Sequence, residues 1–203
     1  RKGRDCMDNP DTSTLTVKSP LDSKRLQWQG LDIYESLPAE ICSISSNLGQ
    51  SKRLQETFKQ YFDVDLPFPG KLKHYKDGSI FWTGQEQWFI ESINNPNPYF
   101  DRDMAKILNG SATITLQTDA WISLDLKGDA VLSVLERLIK ADLSPVNFPP
   151  ESAIRTNLAH MNVFIQRPNQ DTRFKILGAR SYAKSLLHSL AQAADNVLGQ
   201  KKS

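Results

Sequence analysis

One order of predicted elements occurs twice along this sequence, and it restricts the possible folds more than any other feature. Each copy has a strand, an amphipathic helix, a proline-rich bend, three short strands and a second helix. The two copies are offset by about 80 residues. Two copies are too few for a solenoid, so the pattern predicts one pseudo-symmetric domain whose helices cover its sheets.

The first copy begins with a strand at residues 41–45. Its first helix is predicted by apolar residues at helical spacing, namely Leu54, Phe58, Tyr61 and Phe62. Asp77-Gly78 is a strong hairpin signal between the first two of its three strands, at residues 71–75, 79–83 and 87–90. Asn97 and Pro98 then have the order expected of an N-cap and first residue of a helix.

The second copy begins with alternating residues at 122–126. Asp129 is expected to cap a helix whose apolar face extends to Leu138. Its strands are predicted at residues 153–158, 161–166 and 173–177, and its last helix runs from Ser181 to Gly199.

These patterns predict an α+β fold with two similar halves of antiparallel strands and covering helices. The halves span residues 38–110 and 111–199 of a single domain, 38–199. Residues 1–37 are rich in Asp, Ser, Lys and Pro and predict an extended N-terminal arm. Two interpretations of the arm are open: a frayed terminus anchored on its own domain, or a segment laid on a partner with Trp28 and Tyr34 as anchors.

Charge and composition argue against nucleic-acid binding and against a membrane-spanning protein. The chain has 203 residues and a formal net charge of +2, so it has no strongly basic field for nucleic acid. It contains no apolar run long enough to span a membrane and no apolar signal-peptide stretch at its start. Residue 1 is not Met, so we expect the natural start to lie upstream.

The few cysteines and histidines predict neither a disulfide framework nor a metal site. Cys6 and Cys42 are far apart, which indicates reduced thiols in a cytoplasmic protein. The scattered residues His74, His160 and His188 form no ligand pair at zinc spacing.

The sequence contains no complete catalytic set and no cofactor-binding fingerprint. It lacks a Gly-x-Ser-x-Gly nucleophile motif, a glycine-rich phosphate loop and a dinucleotide motif. We therefore predict no catalytic and no cofactor-binding residues in this chain.

Two groups of residues are candidates for contacts with a ligand or a partner. Trp82 and Trp88, in the pairs Phe81-Trp82 and Trp88-Phe89, suit either stacking on a flat ligand or, as we favour, a core or an interface. Arg180 and Tyr182 flank the start of the last helix. Arg180 suits either a carboxylate of folate or of a partner, or a local Asp or backbone carbonyl, and the sequence does not decide between them.

Further short motifs follow one another in a specific order over residues 39–194. They are Leu66-Pro67-Phe68-Pro69-Gly70, Phe81-Trp82-Thr83-Gly84, Trp88, Leu126-Lys127-Gly128, Asp142-Leu143, Phe148-Pro149 and Arg180-Ser181-Tyr182-Ala183. In this order and spacing they resemble the gamma-subunit family of heterotetrameric sarcosine oxidase. That family is similar to the folate-binding aminomethyltransferases of glycine cleavage, which implies two α+β halves with pseudo-twofold symmetry.

The resemblance also implies a function and partners. The implied complex joins this chain to alpha, beta and delta subunits, oxidises sarcosine to glycine, passes the methyl carbon to tetrahydrofolate and releases hydrogen peroxide. FAD, FMN, NAD and tetrahydrofolate are expected in the larger partner subunits, with this chain as an accessory subunit packed against alpha. One departure from the transferases matters: where they carry a folate-binding carboxylate, residues 158–166 here contain neither Asp nor Glu.

Three functions therefore remain. The first is the accessory subunit of an amine-oxidising flavoenzyme; the second is a stand-alone folate-binding protein or one-carbon transferase; the third is an unrelated interaction module. The first predicts an exposed apolar patch on the isolated chain, and hence self-association when the partners are missing.

Overall fold

The computed structural model describes residues 18–36, 39–94, 97–169 and 172–199, and its strands form two antiparallel sheets. The strands are β1 (Arg25–Trp28), β2 (Leu31–Glu35), β3 (Glu40–Ser46), β4 (Leu72–Tyr75), β5 (Gly78–Gly84), β6 (Gln87–Ser92), β7 (Ala112–Leu116), β8 (Trp121–Lys127), β9 (Ser152–Leu158), β10 (Met161–Arg167) and β11 (Arg173–Ala179). The five-stranded sheet has the order β4-β5-β6-β3-β7, and the six-stranded sheet has the order β1-β2-β8-β11-β10-β9.

Four α-helices cover the outer faces of these sheets: α1 (Ser51–Phe62), α2 (Phe100–Leu108), α3 (Val131–Leu135) and α4 (Ala183–Leu198). Leu54 and Phe58 of α1 and Met104 of α2 pack on the five-stranded sheet. Helices α3 and α4 pack in the same way on the six-stranded sheet. In the described ranges no helix combines the length and apolar character of a membrane span.

The inner faces of the two sheets pack against each other. Phe81 and Phe89 from one sheet meet Phe164 and Trp121 from the other, with ring centroids 5.4 to 5.5 Å apart across the interface. Side chains of successive strand residues point to opposite faces of a sheet. Alternate residues of each central strand therefore face either the core between the two sheets or the core between that sheet and its helices. The molecule therefore has four layers: helices, sheet, sheet, helices.

A pseudo-twofold axis relates the two halves. Leu72 N donates to Glu151 O at 2.9 Å, and Ala153 N donates to Gly70 O at 3.0 Å. Gly70 and Leu72 of the first half correspond to Glu151 and Ala153 of the second half at the same difference in residue number. The two hydrogen bonds are therefore equivalent under the pseudo-twofold axis. Gly70 and Glu151 both have positive φ, at 78° and 60°. The predicted internal duplication is confirmed by this geometry.

The halves exchange their leading strands. β2 precedes β3 in the chain but pairs with β8 of the second half, whereas β7 precedes β8 but pairs with β3 of the first half. Each sheet therefore contains a strand from the other half of the sequence.

The structure differs from the sequence prediction at the N-terminus. Residues 25–35, predicted as part of an arm, form the β1–β2 hairpin of the six-stranded sheet. The hairpin belongs to the domain because Leu26, Trp28 and Ile33 bury their side chains in its core. Residues 1–17 and 37–38 lie outside the described part of the chain.

All six strands predicted after the two bends are confirmed, but some helix ends are wrong. α3 ends at Leu135 rather than Leu138, and its N-cap is Ala130, not Asp129. α2 begins at Phe100, because Asn97 accepts a hydrogen bond from Tyr99 N at 2.9 Å and forms a turn before the helix. Tyr61, predicted on the buried face of α1, is 63% exposed.

Candidate functional site

The outward surface of α4 lies between two grooves. The first groove encloses about 570 Å³ between α4 and the N-terminal segment at residues 20–26. The second encloses about 460 Å³ on the other side of α4, where Arg137, Leu138 and Ala159 face it. Gln192 lines both grooves. We call this surface, with its two grooves, the α4 face.

The first groove is built by folding the N-terminal segment back over the helix. Arg180 donates a hydrogen bond to the backbone carbonyl of Lys18, which holds the start of the described segment beside α4. Leu21 and Leu26 are buried behind it, together with Leu187 of α4. The floor of the groove is therefore apolar.

Charged groups surround this apolar floor. Lys24, Lys184 and His188 line the groove, as do Asp22 and Asp195. The Asp195 carboxylate accepts a hydrogen bond from Trp28 Nε1 at 2.8 Å, so part of its charge is used inside the chain. An apolar floor with cationic groups beside it suits an apolar side chain or a small amphiphile with an acidic group.

The exposed ridge of α4 carries less charge than the other helical layer. The ridge is the stripe Ser185, Ser189, Gln192 and Asn196, and exposed Lys184 and His188 lie beside it. The exposed residues of α1 include Lys52, Arg53, Glu56 and Lys59. Depletion of charge is the compositional mark of a protein interface, which favours the α4 face over the α1 face as a contact surface.

The structure separates the aromatic residues that the sequence singled out. Trp28 is buried in the core of its own chain, where its indole meets Asp195. Trp88 is also buried and donates to Pro67 O at 2.9 Å. Trp82 faces Trp88 across the β5–β6 pair and packs beside it on the helix side of the sheet. These indoles fill the core, the interpretation that the sequence favoured for Trp82 and Trp88.

The remaining predicted contact residues lie nearer the surface. The Arg25 guanidinium stands 5.3 Å above the ring of partly buried Tyr34. Arg180 binds a backbone carbonyl, the local alternative to a ligand carboxylate. Tyr182 is 50% exposed at the start of α4, beside the first groove's Lys184.

Sequence reasoning missed a buried ion pair that joins the two halves. Lys175 Nζ of β11 lies 3.0 Å from both carboxylate oxygens of Glu91 in β6. Ser79 Oγ donates to the same carboxylate at 2.9 Å. The side chains of Lys175 and Glu91 are only 7% and 0% exposed. A charged residue within an apolar strand is the sequence signal that could have found the pair: Glu91 follows Trp88-Phe89-Ile90, and Lys175 lies between Phe174 and Ile176.

Two ionisable groups of the core between the five-stranded sheet and its helices are held in their unreactive forms. Burial, with smaller contributions from Asp101 and Glu40, raises the pKa of the Cys42 thiol to about 12. Burial also raises the pKa of Tyr75, whose phenol donates to Glu91 O at 3.0 Å. A protonated thiol is a poor nucleophile, so Cys42 does not suit covalent catalysis.

Residues 158–166, which contain neither Asp nor Glu, occupy the β9–β10 hairpin. Gln166 is its most deeply buried polar side chain, and an amide there cannot act as a general acid. Across the described ranges, no group of three or more His, Cys, Asp or Glu residues lies close enough to hold a metal ion.

Comparison with known proteins relates this fold to two enzymes. No protein-family model matches the sequence, and no curated protein matches it. The structure matches a chain of heterotetrameric sarcosine oxidase from Corynebacterium sp. U-96, in complex with pyrrole 2-carboxylate. The TM-score is 0.76 at 20% identity, over 92% of this chain and 99% of that chain.

The second match is aminomethyltransferase T of the glycine cleavage system from Bartonella henselae. Its TM-score is 0.55 at 13% identity, over 84% of this chain and 50% of the transferase chain. This chain therefore spans about half the length of the transferase. The chain has an α+β fold like that of the folate-binding aminomethyltransferases, arranged as in one whole chain of sarcosine oxidase.

Proposed function

We propose that this chain is the accessory gamma subunit of a heterotetrameric amine-oxidising flavoenzyme of the sarcosine oxidase type. The observation that carries the proposal is the end-to-end match, 92% of this chain with 99% of one sarcosine oxidase chain. Because the match covers nearly the whole of that chain, it supports a role for this fold as the corresponding subunit of such a complex.

In this proposal the chemistry takes place in the partner subunits. The larger partner subunits hold FAD, FMN, NAD and tetrahydrofolate, and the complex with the alpha, beta and delta subunits demethylates sarcosine in the cytoplasm. The present chain supplies binding surface. Its inner layer is filled by aromatic rings and the Lys175–Glu91 pair, which leaves the α4 face as the surface suited to a partner.

The contact would use the apolar floor of the first groove and the uncharged ridge of α4. An apolar side chain of the partner fits over Leu26 and Leu187, with Lys184 and His188 beside an acidic neighbour. Tyr182, half exposed at the end of the same ridge, adds an aromatic anchor.

Purification of the tagged chain from its native cells under non-denaturing conditions tests this proposal. We expect yellow material that contains larger chains and produces hydrogen peroxide when sarcosine is added. A colourless preparation of the chain alone contradicts the proposal.

Two matched variants test the surface itself. Gln192→Arg places a charge on the α4 ridge, whereas Gln55→Arg makes the same change on exposed α1. We expect Gln192→Arg to reduce recovery of the larger chains about tenfold or more, since a buried unpaired charge costs several kcal/mol. Gln55→Arg should leave recovery unchanged.

A second candidate function is a stand-alone folate-binding or aminomethyltransferase-like protein. It is favoured by the fold match to aminomethyltransferase T alone, at a TM-score of 0.55. It predicts that calorimetry with tetrahydrofolate gives saturable heat for the isolated chain. Absence of heat at millimolar ligand removes this candidate and leaves the subunit proposal intact.

A further inference from the structure

The two sheets have four edge strands, and β7 differs from the other three. β1 carries Arg25, β4 carries Lys73, and β9 carries Arg155. β7, Ala112-Thr113-Ile114-Thr115-Leu116, has no charged residue. Charged residues on an edge strand discourage pairing with another chain, so β7 is the least protected edge of the two sheets.

The hydrogen bonds at both ends of β7 show which backbone groups point away from the sheet. Asn47 N donates to Ser111 O at 3.0 Å, and Gln117 N donates to Ile41 O at 2.7 Å. Backbone groups alternate in direction along an antiparallel strand, so those of Thr113 and Thr115 also face β3. The N–H and C=O groups of Ala112, Ile114 and Leu116 therefore point outward. In the described part of the chain no strand pairs with that side of β7.

The second half shows what this position accepts. β2 is the pseudo-symmetric counterpart of β7, since each pairs with the first strand of the opposite half. The outer side of β2 is covered by β1, with Leu26 opposite Ile33 and Trp28 opposite Leu31. The fold thus accommodates one more strand beside this position without displacing the covering helix. The five-stranded sheet has no equivalent of β1 in the described ranges.

The sequence of β7 is suited to pairing with itself. Thr113-Ile114-Thr115 reads the same in both directions around Ile114. If two copies pair antiparallel about Ile114, Thr113 of one copy faces Thr115 of the other, a favourable cross-strand pair. The outward groups of Ala112, Ile114 and Leu116 then form two hydrogen bonds for each facing residue pair.

Exposed apolar side chains at the two ends of β7 support the same pairing. Leu116, at the end of β7, is 43% exposed. Leu48 is fully exposed in a turn that Asn47 Nδ2 ties to Gly110 O, next to the start of β7. In an antiparallel pair the start of one strand lies beside the end of the other, so Leu48 of one copy approaches Leu116 of its partner.

From these observations we propose that β7 is an interface at which two copies of this chain pair edge to edge, forming a continuous sheet across a twofold axis. The pairing is a property of the chain itself and does not depend on the subunit function proposed above.

Sedimentation velocity of the full chain, over about a hundredfold range of concentration, tests the proposal. We expect a monomer–dimer equilibrium in the wild type. Ile114→Pro removes an outward N–H while proline remains compatible with an edge strand, so this variant should be monomeric throughout. Because Ile114 is partly buried, its thermal unfolding is recorded in parallel.

A second pair of variants keeps the test independent of folding. Leu116→Lys places a charge on the edge and should raise the dimer dissociation constant at least about tenfold. Tyr61→Lys makes a similar change at an exposed position of α1 and should leave it unchanged. A wild type that stays monomeric at every concentration overturns the proposal. So does a dimer that Leu116→Lys and Ile114→Pro both leave intact.

Discussion

The two halves of this molecule share a frame but differ at one edge. In the six-stranded sheet, β1 covers β2 and buries Leu26 and Trp28, which are 6% and 8% exposed. In the five-stranded sheet, the equivalent strand β7 ends the sheet within the described residues, and Leu116 is 43% exposed. Both sheets keep the same frame, but one edge is closed by the chain's own β1, whereas no described strand covers the other.

This difference separates stability from association. A strand added within the chain buries apolar surface permanently, whereas an uncovered edge stabilises the protein only when another chain pairs with it. Changes near β1 should therefore lower the free energy of unfolding, and changes near β7 should alter association and leave the monomer's stability nearly unchanged.

The largest effect is expected where the two halves are joined. Lys175→Met leaves the carboxylate of fully buried Glu91 without its cation and should lower the free energy of unfolding by about 3–5 kcal/mol. Urea unfolding measures the change. A single transition with both halves lost together is expected, since the pair links β6 to β11.

Two controls define that effect. The double variant Glu91→Gln/Lys175→Met should regain part of the lost stability, because no unpaired charge stays buried. Arg25→Met removes one partner of the solvent-exposed Arg25–Asp32 pair and should lower stability far less than Lys175→Met does. Equal losses in Lys175→Met and Arg25→Met would show that burial does not govern these pairs.

The next effect compares the closed edge with the open one. Trp28→Phe removes the indole N–H that binds Asp195 and should cost about 1.5–3 kcal/mol. Leu116→Ala, at the open edge, should change the stability of the dilute monomer by about 0.5 kcal/mol or less. Thermal unfolding of both variants at low concentration measures the difference, and comparable losses would contradict the distinction between the edges.

A smaller, pH-dependent effect comes from Cys42 beneath the first half's helices. Its thiol ionises near pH 9.0 in the unfolded chain but at about 12 when buried. Because the pKa of the thiol is raised on folding, the contribution of Cys42 to the free energy of unfolding is fully present below about pH 9. It is lost as the pH rises toward 12. From about pH 8 to about pH 10, the wild type should lose roughly 1 kcal/mol relative to Cys42→Ala in urea unfolding. Parallel pH curves for the two proteins would contradict the assignment.

The smallest effect lies in the bend of the second half. Hydrogen bonds from Ser144 N and from Asn147 lower the pKa of Asp142. A lowered pKa makes this contribution present above the unfolded pKa of about 3.9 and lost as pH falls through the folded value. Asp142→Ala should therefore be slightly less stable than wild type at neutral pH, and the difference should shrink below about pH 4. A stability difference between wild type and Asp142→Ala that persists unchanged at about pH 3 would contradict this interpretation.

The strands and their duplication could be predicted from the sequence because the signals are local. Asp77-Gly78 and the alternating residues of 153–158 and 161–166 specify hairpins through neighbours in the chain. The exchange of β2 and β7 between halves was not predictable, because pairing of β2 with β8 joins residues that are distant in sequence. The β1–β2 hairpin was missed for the same reason: Leu26 and Trp28 alternate with polar residues, but a four-residue strand is recognised only through its partner.

The candidate site was less accessible to sequence reasoning. Tyr182 and Arg180 lie at the start of the last helix, as predicted, and Arg180 holds the N-terminal segment that forms one wall of the first groove. The grooves beside α4 depend on how residues 20–26 fold back over the helix, which no local pattern specifies. α3 ended early, at Leu135, because tertiary packing of the following turn overrode the apolar spacing through Leu138.

Amide hydrogen exchange in β7 most directly tests the contrast between the covered edge of one sheet and the open edge of the other. In dilute protein, the amides of Thr113 and Thr115 should be protected, whereas those of Ala112, Ile114 and Leu116 should exchange almost as fast as in an unfolded chain. The three outward amides should gain protection as the concentration rises and copies pair. If Ala112, Ile114 and Leu116 are as protected as Thr113 and Thr115 in the dilute monomer, the edge is already covered, and the contrast between the two halves is wrong.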